Sequence, residues 1–450
     1  MRTGLRGFDG RRPGSPRSST VGSEVDVYVA VGERNLLAGR LRQDGDGTGA
    51  ASFSYDGRYL ADPEAYPLDP ALPLVPGAAQ APPGRQTFGA FADSGPDAWG
   101  RSLVRRAELA RAAAQGTAPR PLGVLDVLTG VRDDLRQGAL RYRDGETRPF
   151  LAAETAAVPA LGEPAGLAEL ARLLDAAARA ERNAATRADL ELLVRAGASI
   201  GGWRPKVHAA DAAGRPAIAK LPKAGWDAWD VMTWEKVAHD LARAAGISLP
   251  AAELVGVGDA RVFVVARFDR RGARRVGYAS ARTMLNAGSE DRRSYLEIAE
   301  VIAERSPAAA ADLRELWRRV AFSVLISNTD DHLRNHGFLH VGGGSWALSP
   351  AFDLNPNPAP GPKHLSTAID RTDTTASVDA LMRVAGDFGL DATSALDVLA
   401  DVTRAVAGWR DVAASYGLAE EDADAMEPAF EHAETELARS LTAGRVDRLA

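Results

Sequence analysis

Valines at 25, 27, 29 and 31 alternate with other residues, and Leu36, Leu37 and Leu41 follow a short polar break. A period of two turns one face inward, which predicts a β-hairpin over Val25 to Leu41. Ser52 to Tyr55 reads as another short strand. Asp62 to Gly89 is proline-rich and apolar by turns, so it is expected to be irregular but packed. Asp93-Ser94-Gly95-Pro96-Asp97 is a capping sequence for a helix that starts near Ala98. Farther on, an alanine- and proline-rich stretch, 146–190, carries helical periodicity at Leu167 to Ala180 and Arg187 to Arg195.

From Ala198 the pattern changes. Lys206 to Ala210 and Pro216 to Leu221 read as strands joined by the turn Asp211-Ala212-Ala213-Gly214. Val231, Trp234, Ala238, Leu241 and Ala245 then recur at helical spacing, and Gly246 ends that helix. Strands follow at Ala252 to Val257 and Arg261 to Phe268. The order β-β-α-β-β is the layout of a kinase small lobe. Beyond it the chain is expected to be helical to its end, broken only by a hairpin at Phe338 to Val341 and Trp346 to Leu348, joined by Gly342-Gly343-Gly344-Ser345. The fold class predicted is α+β: a two-lobed, protein-kinase-like body with a small N-terminal mixed α/β domain and a mostly helical C-terminal lobe.

Length adds a domain count. At 450 residues the chain has room for two or three domains. The formal charge of -6 argues against broad nucleic-acid affinity carried by this chain alone. The absence of cysteine excludes disulfides and thiolate metal sites. No apolar run approaches the roughly 20 residues that span a bilayer. Met1 to Ser23 carries Arg2, Arg6, Arg11, Arg12 and Arg17 without the apolar core of a signal peptide, so a disordered basic tail and a cytoplasmic location are expected.

The candidate chemistry lies in Asn328-Thr329-Asp330-Asp331-His332-Leu333-Arg334-Asn335 and, after the hairpin, in Phe352-Asp353-Leu354. An Asp, an Asn five residues on and a second Asp, in that order, are the parts that γ-phosphoryl transfer from ATP requires: one carboxylate takes the acceptor proton, and the other two groups hold Mg²⁺. The hairpin folds the chain back, so Asp353 is expected beside Asp330 and Asn335. Each element alone is more often a polar loop or a cap; the ordered set points to the site. Lys220 sits in the apolar strand Ala217-Ile218-Ala219-Lys220-Leu221, where a lysine needs an anion, and Glu235 on the next helix is placed to hold it. The glycines of Ser199-Ile200-Gly201-Gly202-Trp203-Arg204-Pro205-Lys206 let backbone amides approach phosphates, although the spacing is not that of a Walker A loop. His332 and His336 are four apart but lack the Glu of a zinc helix, which leaves zinc the weaker reading and His332 a brace for the loop. Trp226, Trp229 and Trp234 read as packing residues. Arg270, Arg271, Arg274 and Arg275 read as a solvated loop, or more sharply as a phosphate or partner contact.

These residues resemble the HipA family, the serine/threonine kinase toxins of bacterial toxin–antitoxin pairs. Ser199 to Lys206 is similar to its Ser-x-Gly-Gly-x-x-x-Lys loop, Ile218 to Pro222 to its ATP-lysine strand, Val265 to Arg270 to its hinge, Asn328 to Asn335 to its catalytic loop, and Leu348 to Asp353 to its metal-binding strand. The region from Val25, with Phe53-Ser54-Tyr55 and Leu72-Pro73-Leu74, is similar to its N-terminal domain. The resemblance implies ATP and Mg²⁺, with Asp330 as catalytic base, Asn335 and Asp353 on the metal, and Lys220 on the α/β-phosphates. It places Ala266, Arg267 and Phe268 along adenine. Gly201, Gly202, Lys206 and His332 belong to the same ATP-binding set. Ser199 would be an autophosphorylation site whose modification silences the enzyme. It implies a separate helix-turn-helix antitoxin, DNA contact only through that partner, a protein substrate such as an aminoacyl-tRNA synthetase, and no membrane.

The expected domains are a tail at 1–23, the N-terminal domain at 24–120, a helical segment with the small lobe at 121–270, and the C-terminal lobe at 271–450. Trp203, where a small residue is common, and Arg334, where a lysine is frequent, depart from the pattern. The rival readings are a kinase of a small-molecule or lipid hydroxyl, a catalytically weak corepressor that binds a DNA-binding antitoxin, and a zinc hydrolase.

Overall fold

The computed structural model describes residues 24–43, 49–96, 98–152, 158–197, 204–223, 225–288 and 291–446. The alternation near the start of the chain folds as its period requires. β1 (Glu24–Val31) and β2 (Arg34–Gln43) pair antiparallel, with Val25 opposite Leu41. β3 (Ala51–Tyr55) and β4 (Ala78–Gln80) extend the sheet on one side, and β5 (Leu140–Arg143) adds to β1 on the other. Gly39 permits the close approach of β2 to β3, since a Cβ there would lie 2.1 Å from the Ser54 carbonyl oxygen. Short helices α1 (Gly57–Leu60) and α2 (Gly89–Asp93) flank this sheet, followed by α3 (Ala98–Gln115) and α4 (Val124–Thr129). The stretch from Asp62 to Gly89 is irregular and packed, as expected: Tyr66, Leu68, Leu72 and Phe88 are buried in it.

The second sheet shows why a period of two matters to the site. β6 (Lys206–Ala210), β7 (Pro216–Lys220), β8 (Ala252–Val257) and β9 (Ala260–Ala266) form the order β6-β7-β9-β8, all antiparallel. One face presents Val207, Ala209, Ala217, Ala219, Val262 and Val264 to a core built with Trp99 and Leu103 of α3 and with α5 (Pro164–Glu181) and α6 (Arg187–Gly197). Lys206, Ile218, Lys220 and Val265 alternate with those residues and so fall on the opposite face. α7 (Val231–Ala244) packs on that face through Met232, which clusters with Phe263 and Val265. Its N-cap is Asp230, which accepts from Thr233 N–H at 3.1 Å.

After β9 come a minimal hairpin, β10 (Arg270–Arg271) with β11 (Arg274–Arg275), then β12 (Tyr278–Ser280), α8 (Ala281–Met284), α9 (Tyr295–Arg305) and α10 (Ala309–Leu325). β13 (Gly337–Gly342) and β14 (Ser345–Leu348) form the glycine-turn hairpin, and β12 joins it as a third strand. The remaining helices are α11 (Val378–Arg383), α12 (Ala392–Ala407), α13 (Trp409–Ser415), α14 (Glu420–Phe430) and α15 (Ala433–Val446). Trp409 stacks on Phe430 at 4.8 Å between ring centroids, and Trp234 of α7 meets both. This lobe is interrupted more than the sequence reading allowed. Residues 349–377 contain no helix; over the first half, prolines 350, 356, 358, 360 and 362 remove amide donors and clash with helical geometry.

Two further expectations are corrected. Arg270 and Arg275 are not a solvated loop. Arg270 bonds Asp269 Oδ2 at 2.8 Å, and Arg275 bonds Asp133 Oδ2 at 3.1 Å; both guanidiniums are largely buried. Their partners tie the β10–β11 hairpin to residues 133–138. The Asp133 side of this contact is more than a hundred positions away in the chain, so no local pattern announces it. Trp226 and Trp229 are not core residues either. Trp226 is 72% exposed and Trp229 38%, and only Trp234 is buried.

The N-terminal domain also meets β13, where Tyr66 stacks on His340 at 3.7 Å between centroids. Burial lowers the His340 pKa to about 4. The folded state therefore holds this ring neutral, while the unfolded chain protonates it near its ordinary 6.5. Stability from this site is present above pH 6.5 and is lost as pH falls toward the folded value. Between pH 6.5 and 5 we expect a loss on the order of 2 kcal/mol from this residue. Urea unfolding across that range should show a smaller loss in His340→Phe than in the parent chain.

Candidate active site

The catalytic-loop sequence is set in place by the end of α10. Ile326 caps the helix, Ser327 takes a left-handed φ of 53°, and Asn328 N–H returns to the Ser323 carbonyl at 2.8 Å. This closing turn redirects the chain across the top of the buried helix. Asp331 then anchors the loop. It is 3% exposed, accepts from Tyr295 OH at 2.6 Å and Ser323 Oγ at 3.1 Å, and lies 3.0 Å from His336 Nε2. Burial would raise its pKa, but His336 and the two hydroxyl donors outweigh burial and keep it low. The Asp331 carbonyl also accepts from Thr367 Oγ1 at 2.7 Å, which fastens the irregular segment over the loop. Tyr295→Phe is expected to cost about 1.5–3 kcal/mol by removing a donor from a buried carboxylate, read as a lower urea midpoint.

Asp330 is free of this anchoring. Asp330 as a residue is exposed, but its carboxyl is partly enclosed by the cleft, and that partial burial is the main cause of its raised pKa, with Asp353 and Asp331 adding and His332 opposing. Asn335 Nδ2 donates to the Asp330 carbonyl at 3.1 Å, so the amide braces the loop and keeps its own oxygen available. Asp353 adopts a left-handed φ of 63°, a conformation uncommon for a side-chain-bearing residue and most tolerated by Asp and Asn. Such backbone strain persists only where the surroundings impose it.

Lys220 fixes the Asp353 side chain. Its Nζ donates to Glu235 Oε1 and, at 2.5 Å, to Asp353 Oδ1. Burial opposes its charge, yet Asp353 and Glu235 together raise its pKa above the ordinary lysine value. Asp353 is pushed up by burial and pulled down further by Lys220 and Lys206, so it stays ionised. Glu235 is raised, because desolvation there exceeds the help from Lys220. Lys206 lies directly across the β6–β7 ladder from Lys220. Two lysines facing each other on one ladder repel, and anions in the cleft relieve that.

One cleft of about 1090 Å³ gathers these groups: Lys206, Lys220, Ala266, Arg267, Phe268, Asp330, His332, Asn335 and Asp353 all line it. Its floor carries Phe352, 5.5 Å from Phe268 between ring centroids. Ala266 N–H donates to Ala251 O at 2.8 Å and Arg267 N–H to Pro216 O at 2.9 Å, while Phe268 N–H has no backbone acceptor among the described residues. The Arg267 guanidinium points elsewhere, to Leu135 O at 2.8 Å, Arg136 O at 3.0 Å and Asp269. His332 Nδ1 is buried with no hydrogen-bond partner among the described residues, a polar atom that a cleft ligand would satisfy. His336 faces Asp331 rather than His332. Among the described residues no group of three His, Cys, Asp or Glu is placed to hold a metal unaided. Ser199, Gly201 and Gly202 lie outside the described residues.

The sequence reading named Glu235 and the cleft lysines but missed the Tyr295–Asp331–His336 support. Tyr295 is 36 positions from Asp331, and only the packing of α9 against α10 brings it near. Asp93, Gln137 and Tyr278, which also line the cleft, carry no motif.

An antiparallel small-lobe sheet, a buried lysine between two carboxylates, and a helical lobe supplying an Asp–Asn loop define a two-lobed, protein-kinase-like fold. The chain belongs to the HipA family. Residues 29–128 match the HipA N-terminal domain and residues 198–409 the HipA-like C-terminal domain. HipA of Shewanella oneidensis MR-1, solved with HipB and its operator DNA, shares the fold at a TM-score of 0.61 and 16% identity, over 94% of this chain and 99% of that one. Among curated relatives, "Putative kinase Y4dM" of Sinorhizobium fredii is 31% identical over 160 residues, which is 32% of this chain and 38% of that protein. A "Putative kinase" of Haemophilus influenzae is 33% identical over 70 residues, 16% of this chain and 20% of its own length. The chain thus matches well under half the length of these curated relatives. No described helix is long and apolar enough to cross a membrane.

Proposed function

We propose that this protein is an ATP- and Mg²⁺-dependent serine/threonine protein kinase, the toxin of a toxin–antitoxin pair. The observation that carries the reading is Lys220 held between Glu235 and Asp353 in the same cleft as Asp330. Lys220 is fixed in its charged form and aimed where the α/β-phosphates of ATP would lie, and the unsatisfied Phe268 amide is available to the adenine edge. Asp330 takes the acceptor hydroxyl proton as that oxygen bonds to the γ-phosphorus and the bond to the β,γ-bridging oxygen breaks, releasing ADP. Its raised pKa favours that proton transfer.

The donor set fits a magnesium ion: the Asp353 carboxylate and the Asn335 amide oxygen are hard oxygen ligands, and such ions retain waters and share phosphate oxygens. When bound, the ion would offset the negative charge of the transferred group. A phosphate on Ser199, seven positions before Lys206 in the sequence, would add a dianion that competes with ATP phosphates for the same donors. A separate helix-turn-helix antitoxin and contact with DNA only through it complete the reading; the Shewanella protein's own complex with HipB and operator DNA supports this. An aminoacyl-tRNA synthetase is the proposed kind of protein target, and the cytoplasm the proposed location.

The test is incubation of purified protein with Mg²⁺ and γ-labelled ATP, followed by mass spectrometry. Phosphate on Ser199, absent in Ser199→Ala, is the expected result. No transfer to itself or to any protein, from chain that binds ATP and starts unphosphorylated, would overturn the reading.

A further inference from the structure

We propose that the wall of the cleft beyond Asp330 is built for an acidic acceptor, a serine or threonine hydroxyl flanked by Asp or Glu; this rests on the kinase reading above. α8 is fastened along the catalytic loop: Ala281 N–H donates to His336 O at 2.7 Å and Arg282 N–H to Leu333 O at 3.3 Å. The Arg282 backbone therefore lies against the residue that precedes Arg334. From there the ridge continues, with Arg282 Nε donating to Ala287 O at 3.2 Å and Asn286 Oδ1 accepting from Arg85 Nη1 at 2.9 Å. Arg85, Arg282 and Arg334 all line the cleft.

None of these three guanidiniums forms an ion pair with a carboxylate among the described residues; Arg85 and Arg282 donate to neutral amide oxygens of Asn286 and Ala287. The other carboxylates of the cleft are committed. Asp93 accepts from Ser280 N–H at 2.7 Å and Thr283 Oγ1 at 2.7 Å. Asp269 holds Arg267 and Arg270, Asp353 holds Lys220, and Asp291 accepts from Gly288 N–H at 2.8 Å. Asp69 and Asp291 lie near Arg85 and Asp93 near Arg334, but none of these carboxylates bonds a guanidinium of the ridge. The wall beside Asp330 thus carries three forked cations with no direct ion pair among the described residues. Guanidiniums in that state favour carboxylates through charge-assisted, often bidentate bonds. A peptide suits the wall better than a nucleic acid, because the chain carries a formal charge of -6.

The test compares two fluorescent peptides with one central serine, flanked by glutamates or by lysines, binding to the full chain in fluorescence anisotropy. The glutamate peptide should bind about ten-fold tighter or more, and the gap should shrink as salt rises. The double charge reversal Arg282→Glu with Arg334→Glu should erase or invert the preference, while an unchanged thermal midpoint shows the fold intact. With Mg²⁺ and ATP, the glutamate peptide should have the lower KM at similar kcat. Equal binding, preference for the lysine peptide, no binding by either, or tighter binding of a single-stranded oligonucleotide would each overturn the proposal. Binding is read without turnover: glutamate preference with no transfer to any hydroxyl would sink the kinase reading and leave the ridge's specificity standing.

Discussion

Asp330→Ala is expected to lower phosphoryl transfer by about 10²–10⁴-fold, the usual contribution of a positioned general base. The loss should fall on kcat. Asp330 is exposed and makes no side-chain hydrogen bond in the described structure, so its removal should change stability by no more than about 0.5 kcal/mol. ATP affinity should hold or improve slightly, because a carboxylate that repels the phosphates is gone. Initial rates with γ-labelled ATP, nucleotide titration and urea unfolding measure the three quantities. A variant as active as the parent would remove Asp330 from the chemistry.

Lys220→Met is expected to damage both activity and fold, and the two losses can be separated. Transfer should fall by about 10²–10³-fold, the scale of losing one preorganised electrostatic group. Stability at neutral pH should fall by about 3–5 kcal/mol, because Glu235 and Asp353 are left without their shared cation. The pH dependence follows from Glu235, whose folded pKa is already raised by burial. A raised carboxyl contributes stability below its unfolded pKa and loses it as pH rises through the folded value. Without Lys220 the rise is greater, so the variant should recover stability as pH is lowered from 7 toward 5. Adding Glu235→Gln should restore much of the stability at neutral pH and none of the activity. A Lys220→Met protein of unaltered stability would show that the two bonds seen at Lys220 carry no net free energy.

The HipA fold of the chain explains why both effects concentrate in so few residues. The lysine strand and the Asp–Asn loop come from separate lobes, and the cleft exists only where the lobes meet. Tyr295 and Asp331 hold the loop from below, while the side chain of Asp330 stays unengaged above it.

Local pattern determined a good deal of this protein. Alternation placed β6, β7, β8 and β9, and the 3.6-residue period with Asp230 and Gly246 placed α7. The spacing of Asp330, Asn335, the glycine turn and Asp353 was legible because a hairpin returns its two ends to one place, whatever surrounds it. A strand lysine with an apolar neighbour on each side implied an anion, since an unpaired buried charge is too costly to persist. Other features depended on contacts between distant segments, which no periodicity records. The addition of β5 to the N-terminal sheet, the burial of Arg270 and Arg275 on Asp269 and Asp133, and the Tyr295 bond to Asp331 are of this kind. So are the exposure of Trp226 and the ridge of Arg85, Arg282 and Arg334. An aromatic or an arginine is compatible with core, surface or site by its own chemistry. Only the tertiary arrangement decides whether packing, a carboxylate or open cleft lies opposite it.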